Sequence, residues 1–166
     1  MPKKKRVAIK FFLSYAHENL QLAVLFRKLI LQQMGPSITY DYQIWNDMDN
    51  FLPGQNWVKE IKQALKECDL GLLLISPSFL NSKFITENEL PAFIGSKAKA
   101  CIPVLLSPVN FRRHDLKGMK AVQIYRYRTA RGNLKNFSDC TKRQREQFCE
   151  QLFDRIESRM DQLHLK

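Results

Sequence analysis

Leu70-Gly-Leu-Leu-Leu-Ile75 runs directly into Ser76-Pro-Ser-Phe-Leu-Asn-Ser-Lys-Phe-Ile-Thr-Glu-Asn-Glu-Leu-Pro91. The first six residues are a short apolar run bounded by polar and turn-forming residues, the pattern of a strand buried on both faces. The chain after Ile75 is polar at first and then periodic, so it predicts a turn and a helix. The carboxylate of Glu89 is thereby delivered just beyond the C-terminal end of a strand, the edge at which open α/β sheets bind small ligands. The helix is predicted over 84–98, with one complication. Pro91 fits a first helical turn far better than a helix interior. A regular helix starting near Leu90 would leave Glu89 beside a helix N-terminus, where a carboxylate is favoured.

The same alternation continues on both sides. Val7–Ser14 is β-prone and apolar, and 18–34 carries Leu20, Val24, Leu25, Leu29, Ile30 and Met34 at helical spacing up to Gly35-Pro36. Tyr40–Trp45 reads as a second strand, 47–55 as a loop turning at Pro53-Gly54, and 56–67 as a helix with Trp57, Ile61 and Leu65 on one face. A fourth strand is predicted over 101–106, a short fifth over 122–125, and a long helix over 141–163. The segment 108–136 reads as a loop with only brief structure. Strands alternating with helices imply a mainly parallel sheet covered on both sides, in one domain over 1–166.

Composition narrows the function classes. The chain has 166 residues, 45% of them hydrophobic, enough for a real core. No apolar run approaches the length of a membrane span, and no signal peptide is recognised. Cys68, Cys101, Cys140 and Cys149 show no metal-ligand spacing, and His17, His114 and His164 are isolated, so no metal site is expected. Scattered thiols in an unsignalled chain point to the cytoplasm. The net charge of +11 is concentrated in the first ten residues and in 112–145. It reads first as a solvated cationic surface and second as a face for nucleic acid or an acidic protein. Pro2-Lys-Lys-Lys-Arg-Val7 has the composition of a nuclear-localisation peptide. It reads as a basic extension over 1–6, disordered or tag-derived, leading into the first strand.

No GxGxxG or Walker loop is present, and no Ser/His/Asp or Cys/His pairing emerges from the order of residues. The remaining chemistry lies in carboxylates, aromatics and hydroxyls at strand ends. Phe11-Phe-Leu-Ser-Tyr-Ala-His17, Trp45-Asn-Asp47 with Leu52-Pro-Gly54 and Trp57, Asp69-Leu-Gly-Leu-Leu-Leu-Ile-Ser76 with Phe79-Leu-Asn-Ser82, Glu89-Leu90, and Ile102-Pro-Val-Leu-Leu106 fall in order along the chain. Together they resemble the TIR domain, and most closely its bacterial NAD-cleaving members. The resemblance implies a flavodoxin-like three-layer sandwich around a central, mainly parallel five-stranded sheet.

It further implies cleavage of the nicotinamide–ribose bond of NAD+, taken as substrate with no cofactor required, and makes Glu89 the catalytic carboxylate. Glu87 is the competitor. In a regular helix the two lie about 200° apart, so one pocket uses one of them. The resemblance makes Ser14, Tyr15, Asp47, Ser76, Ser82 and Phe84 candidate substrate contacts. Leu52, Pro53, Gly54 and Trp57 belong to the BB loop, which mediates contacts between subunits. For Ser76 and Ser82 helix capping is the competing role. Many NAD-cleaving members carry an aromatic residue four positions before the glutamate; here that position is Ile85, and Phe84 is the neighbouring ring. Self-association and a separate effector switched on by an ADP-ribose-derived signal, as in Thoeris-type anti-phage defence, complete the expectation. The alternative is a non-catalytic TIR–TIR interaction module.

Overall fold

The computed structural model describes residues 4–45 and 57–164. Parallel strands β1 (Val7–Ser14), β2 (Tyr40–Trp45), β3 (Leu70–Ile75) and β4 (Cys101–Leu105) form a four-stranded sheet in the order β2-β1-β3-β4. All six residues of β3 are buried, which is why that run carries no polar alternation. The helices are α1 (Leu20–Met34), α2 (Trp57–Glu67), α3 (Pro77–Asn81), α4 (Lys83–Asn88) and α5 (Lys142–His164).

The two-residue period of the strands divides the core into two layers. Ile9, Phe11 and Leu13 of β1 pack with Leu70, Leu72 and Leu74 of β3 against Phe26 and Ile30 of α1 and Phe148, Leu152 and Ile156 of α5. Phe12 and Ala16 pack with Leu73 and Ile75 on the opposite face, against Ile61 and Leu65 of α2, Phe79 of α3 and Ile85 of α4. The result is the three-layer α/β sandwich expected from the alternation. Gly71 matters to the second layer: a Cβ there would sit 2.5 Å from the Phe93 ring, so the bare strand backbone makes room for that side chain.

The sheet departs from expectation at its fifth position. In place of a strand over 122–125 there is a 3-10 turn, Ala121–Gln123, and one bridging residue, Tyr125. Tyr125 donates its N–H to the Pro103 carbonyl at 2.7 Å, and its own carbonyl accepts from Leu105 at 2.9 Å. Gln123 closes the turn by accepting from the Lys120 N–H, which leaves Val122 83% exposed rather than facing a core. A small antiparallel pair, β5 (Tyr127–Arg128) with β6 (Leu134–Lys135), comes next.

The helix expected over 84–98 is also corrected. Ser76 caps α3 by accepting from the Phe79 N–H, and Ser82 caps α4 by accepting from the Ile85 N–H. Helix α4 ends at Asn88, and a 3-10 turn, Leu90–Ala92, takes over at Pro91. Proline has no N–H to continue the ladder, and its ring would crowd the carbonyl four residues back. Arg6, the last residue of the basic run, is tied into the fold: it donates to the carbonyls of Gly35 and Ser37 and pairs with Asp41.

Candidate functional site

Chain order and sheet order part between β1 and β3, because β1 connects to β2 on one side while β3 pairs with β1 on the other. The crevice beyond the carboxyl ends of those strands is where an open α/β sheet holds a ligand. Ser14 ends β1 opposite Leu73, and Ser76 comes directly after β3. Strand alternation puts Ser14 on the face of Phe12 and Ala16, the layer that also holds α2 and α4. Its side chain is 1% exposed, and its hydroxyl oxygen lacks a hydrogen-bond partner among the described residues.

Glu89 is 6% exposed. It does not stand at the N-terminus of a regular helix as expected. It is at once the C-cap of α4, donating its N–H to the Ile85 carbonyl at 3.0 Å, and the N-cap of the 3-10 turn Leu90–Ala92, its carbonyl accepting from Ala92. A carboxylate gains nothing from the dipole at the C-terminus of α4, and the Glu89 side chain makes no capping hydrogen bond to the 3-10 turn, so helix capping does not account for its burial. Glu87 is on the outside of the same helix, in an exposed i,i+4 pair with Lys83 at 3.9 Å. The two carboxylates are therefore separated by environment, and the buried one is Glu89.

Aromatic side chains gather at the same end of the sheet. Phe84 stacks on Trp57 with ring centroids 4.7 Å apart and 21° between planes. His17 is 6.1 Å from Trp57, and Tyr15 meets His17 edge-on at 6.2 Å. Trp45 is stacked on Phe12 at 5.0 Å, closing the second layer near the end of β2. Ile85, at the position where an aromatic was expected, is a buried core residue, and Phe84 supplies the ring. Ser76 is fully buried: besides capping α3, its hydroxyl donates to Asn19 Oδ1 at 2.6 Å, linking the turn after β1 to the turn after β3. Ser82 acts as a cap, the role that competed with substrate contact.

Asp47, Leu52, Pro53 and Gly54 lie outside the described residues. Of the BB-loop group, Trp57 is described, half-buried at the start of α2. Sequence reasoning named His17 only as the end of the first motif and did not single out Asn19, whose bond to Ser76 joins residues far apart in the chain; both lie in the 3-10 turn after β1. The described residues contain no group of three or more His, Cys, Asp or Glu side chains suited to a metal ion.

A family model described as the TIR domain matches residues 11–138. The chain belongs to the TIR-domain family. The match takes in β2, β3, β4 and the last four residues of β1, and it spans Ser14, Ser76 and Glu89. No curated protein matches the chain. Among the described residues no helix is long and apolar enough to cross a membrane.

Proposed function

We propose that this TIR domain is an enzyme that cleaves the nicotinamide–ribose bond of NAD+, with Glu89 as the catalytic carboxylate. The observation that carries the reading is a glutamate 6% exposed at the end of α4, on the chain that leaves the C-terminal end of β3, while its neighbour Glu87 is solvated. Carboxylates are seldom buried unless paired, so Glu89 is held in a fixed environment, and the family includes NAD-cleaving members.

The chemistry suits a single carboxylate. The bond from the ribose C1′ to the pyridinium nitrogen breaks, and its electron pair leaves with nicotinamide, which departs neutral. No strong general acid is needed. The positive charge passes to the ribose as an oxocarbenium-like species, which a fixed carboxylate stabilises. Water then adds at C1′ and releases a proton, giving ADP-ribose, or a nucleophile within the same molecule closes a ring. In this reading the Phe84–Trp57 pair offers an aromatic wall for nicotinamide. Tyr15 and Ser14 line the ribose side, and Asp47 is a further candidate substrate contact. Ser76 and Ser82 hold α3 and α4, and hence Glu89, in place. The BB loop around Leu52, Pro53 and Gly54 joins neighbouring subunits, so activity rises on self-association. The product serves as a signal to a separate effector in anti-phage defence.

The test is to incubate dilute and concentrated protein with NAD+ and resolve the products by mass. Nicotinamide with ADP-ribose, or with a cyclic ADP-ribose lighter by one water, supports the proposal and names the reaction. The interaction-module reading predicts self-association, unaffected by Glu89→Ala, with no nicotinamide at any concentration.

A further inference from the structure

The shortfall at the fifth strand position opens a second cavity, at the β4 edge of the sheet. In a parallel strand the N–H and C=O of one residue point to the same side, and successive residues alternate. The Ala100 carbonyl accepts from Gly71, toward β3; Pro103 and Leu105 therefore face outward, where Tyr125 pairs with both. Cys101 shares that outward side, two residues before Tyr125's first partner. Because one residue replaces a strand, the edge at Cys101 is left open and lines a cavity of about 600 Å³. That volume falls within the usual size range of small-molecule sites.

The cavity has two unlike walls. Phe93, Ile94 and Met119 form an apolar side. Across from it α5 presents Arg155 and Arg159, one turn apart, with Gln123 of the 3-10 turn completing the rim. Like charges at i,i+4 repel, and among the described residues neither arginine has an ion-pair partner. Arg155 is placed over the Tyr125 ring at 5.9 Å, and Arg159 donates to Gln162 Oε1 at 3.4 Å. Burial pushes the Cys101 thiol up to about 11 while Arg159 pulls it back down, so the guanidinium is close enough to be felt at the strand edge.

We infer that this cavity binds a phosphate-bearing compound with a flat apolar body, a mononucleotide being the simplest form. Two unpaired guanidiniums one turn apart suit a phosphate dianion, and the Cys101 N–H on the open strand edge adds a neutral donor. The apolar wall takes the ring. The site is separate from the Glu89 crevice, and its occupancy does not depend on NAD+ cleavage.

The probe is adenosine 5′-monophosphate, titrated into the full chain and followed residue by residue in amide nitrogen–proton spectra. Saturable shifts are expected at Cys101, Ile102 and Gln123. Arg155→Gln with Arg159→Gln should weaken binding at least about tenfold. Ala98→Trp, which fills the cavity from its rim without altering charge, should weaken it equally. Adenosine and inorganic phosphate, tested separately, should each bind at least about tenfold more weakly than the nucleotide. Shifts confined to Ser14, Tyr15 and Phe84, unchanged affinity in both variants, or phosphate binding as tightly as the nucleotide would each overturn the inference. So would no saturable shift at Cys101 and Ile102 at millimolar nucleotide.

Discussion

Ser14 is a hydroxyl held in the interior at a cost. A buried polar atom without a partner loses about 1–3 kcal/mol of solvation, and Ser14 Oγ has none among the described residues. Under the proposed function, its position at the end of β1 gives that cost a use as a substrate contact. Ser14→Ala should therefore leave stability unchanged or higher, while raising KM for NAD+ by about tenfold, the worth of one hydrogen bond. Urea midpoints and steady-state kinetics on the same preparation separate the two effects. Gly71 presents the opposite case, a residue whose value is its missing side chain. Gly71→Ala drives a methyl group to within 2.5 Å of the Phe93 ring. Overpacking of this kind costs about 1–3 kcal/mol, read as a lower urea midpoint, and Phe93→Leu in the same chain should return part of it.

The short helices after β3 are held by their caps. Helix α4 is six residues long, too short to persist on propensity alone. Ser82 satisfies the Ile85 N–H, and Ser82→Ala should cost about 1 kcal/mol and lower nicotinamide release through a misplaced Glu89. Ser76→Ala should cost more, because it also leaves Asn19 Oδ1 without its donor. This region also shows where sequence is a poor guide. Strand β3 was legible to the residue because six consecutive apolar side chains between polar neighbours admit few alternatives. Helices α1 and α5 were legible because their apolar faces repeat over several turns. For the span 84–98 the sequence predicts a helix whose regular part starts near Leu90, whereas the regular helix ends before Pro91. The outcome depended instead on Ser82 acting as a cap and on Pro91 stopping the ladder. The segment 122–125 looked like a strand by composition, but backbone bonds from Gln123 to Lys120 and from Ile124 to Ala121, with the Gln123 side chain on the Lys120 N–H, curl it into a turn. Glu89 stands out as a candidate from the pattern around it, whereas the Phe84–Trp57 stack joins residues 27 positions apart and has no local signature.

At the scale of the whole molecule, α5 is clasped to the opposite edge of the sheet by tyrosine–carboxylate bonds. Tyr40 donates to Asp161 at 2.7 Å, Tyr42 donates to Glu157, and Ser37 donates to the same Glu157 at 2.7 Å. Burial, with the adjacent carboxylates, holds both phenols above their ordinary range. Burial likewise pushes the Cys149 thiol up to about 12 from an ordinary 9.0. In each case the folded state holds its proton more tightly than the unfolded state. The contribution is complete below about pH 9 and declines as pH rises from about 9 toward 12, so stability should fall across that interval. Urea midpoints at a series of pH values check it, and Cys149→Ala should flatten the first part of the decline. The basic surface is partly structural as well. Arg145 donates to the carbonyls of Phe137 and Ser138, Arg126 lies over Phe111, and Arg128 donates to Gly132. That commitment weighs against a nucleic-acid face, and any binding to DNA should be weak and lost as salt is raised. The most direct test of the central claim is the rate of nicotinamide release from NAD+ by wild type, Glu89→Ala and Glu87→Ala, at one protein concentration and with matched circular dichroism. Catalysis by Glu89 predicts release by the wild type, retention in Glu87→Ala, and a loss on the order of 10²–10³ in Glu89→Ala. Wild-type release in Glu89→Ala, or its loss in Glu87→Ala, would contradict the assignment.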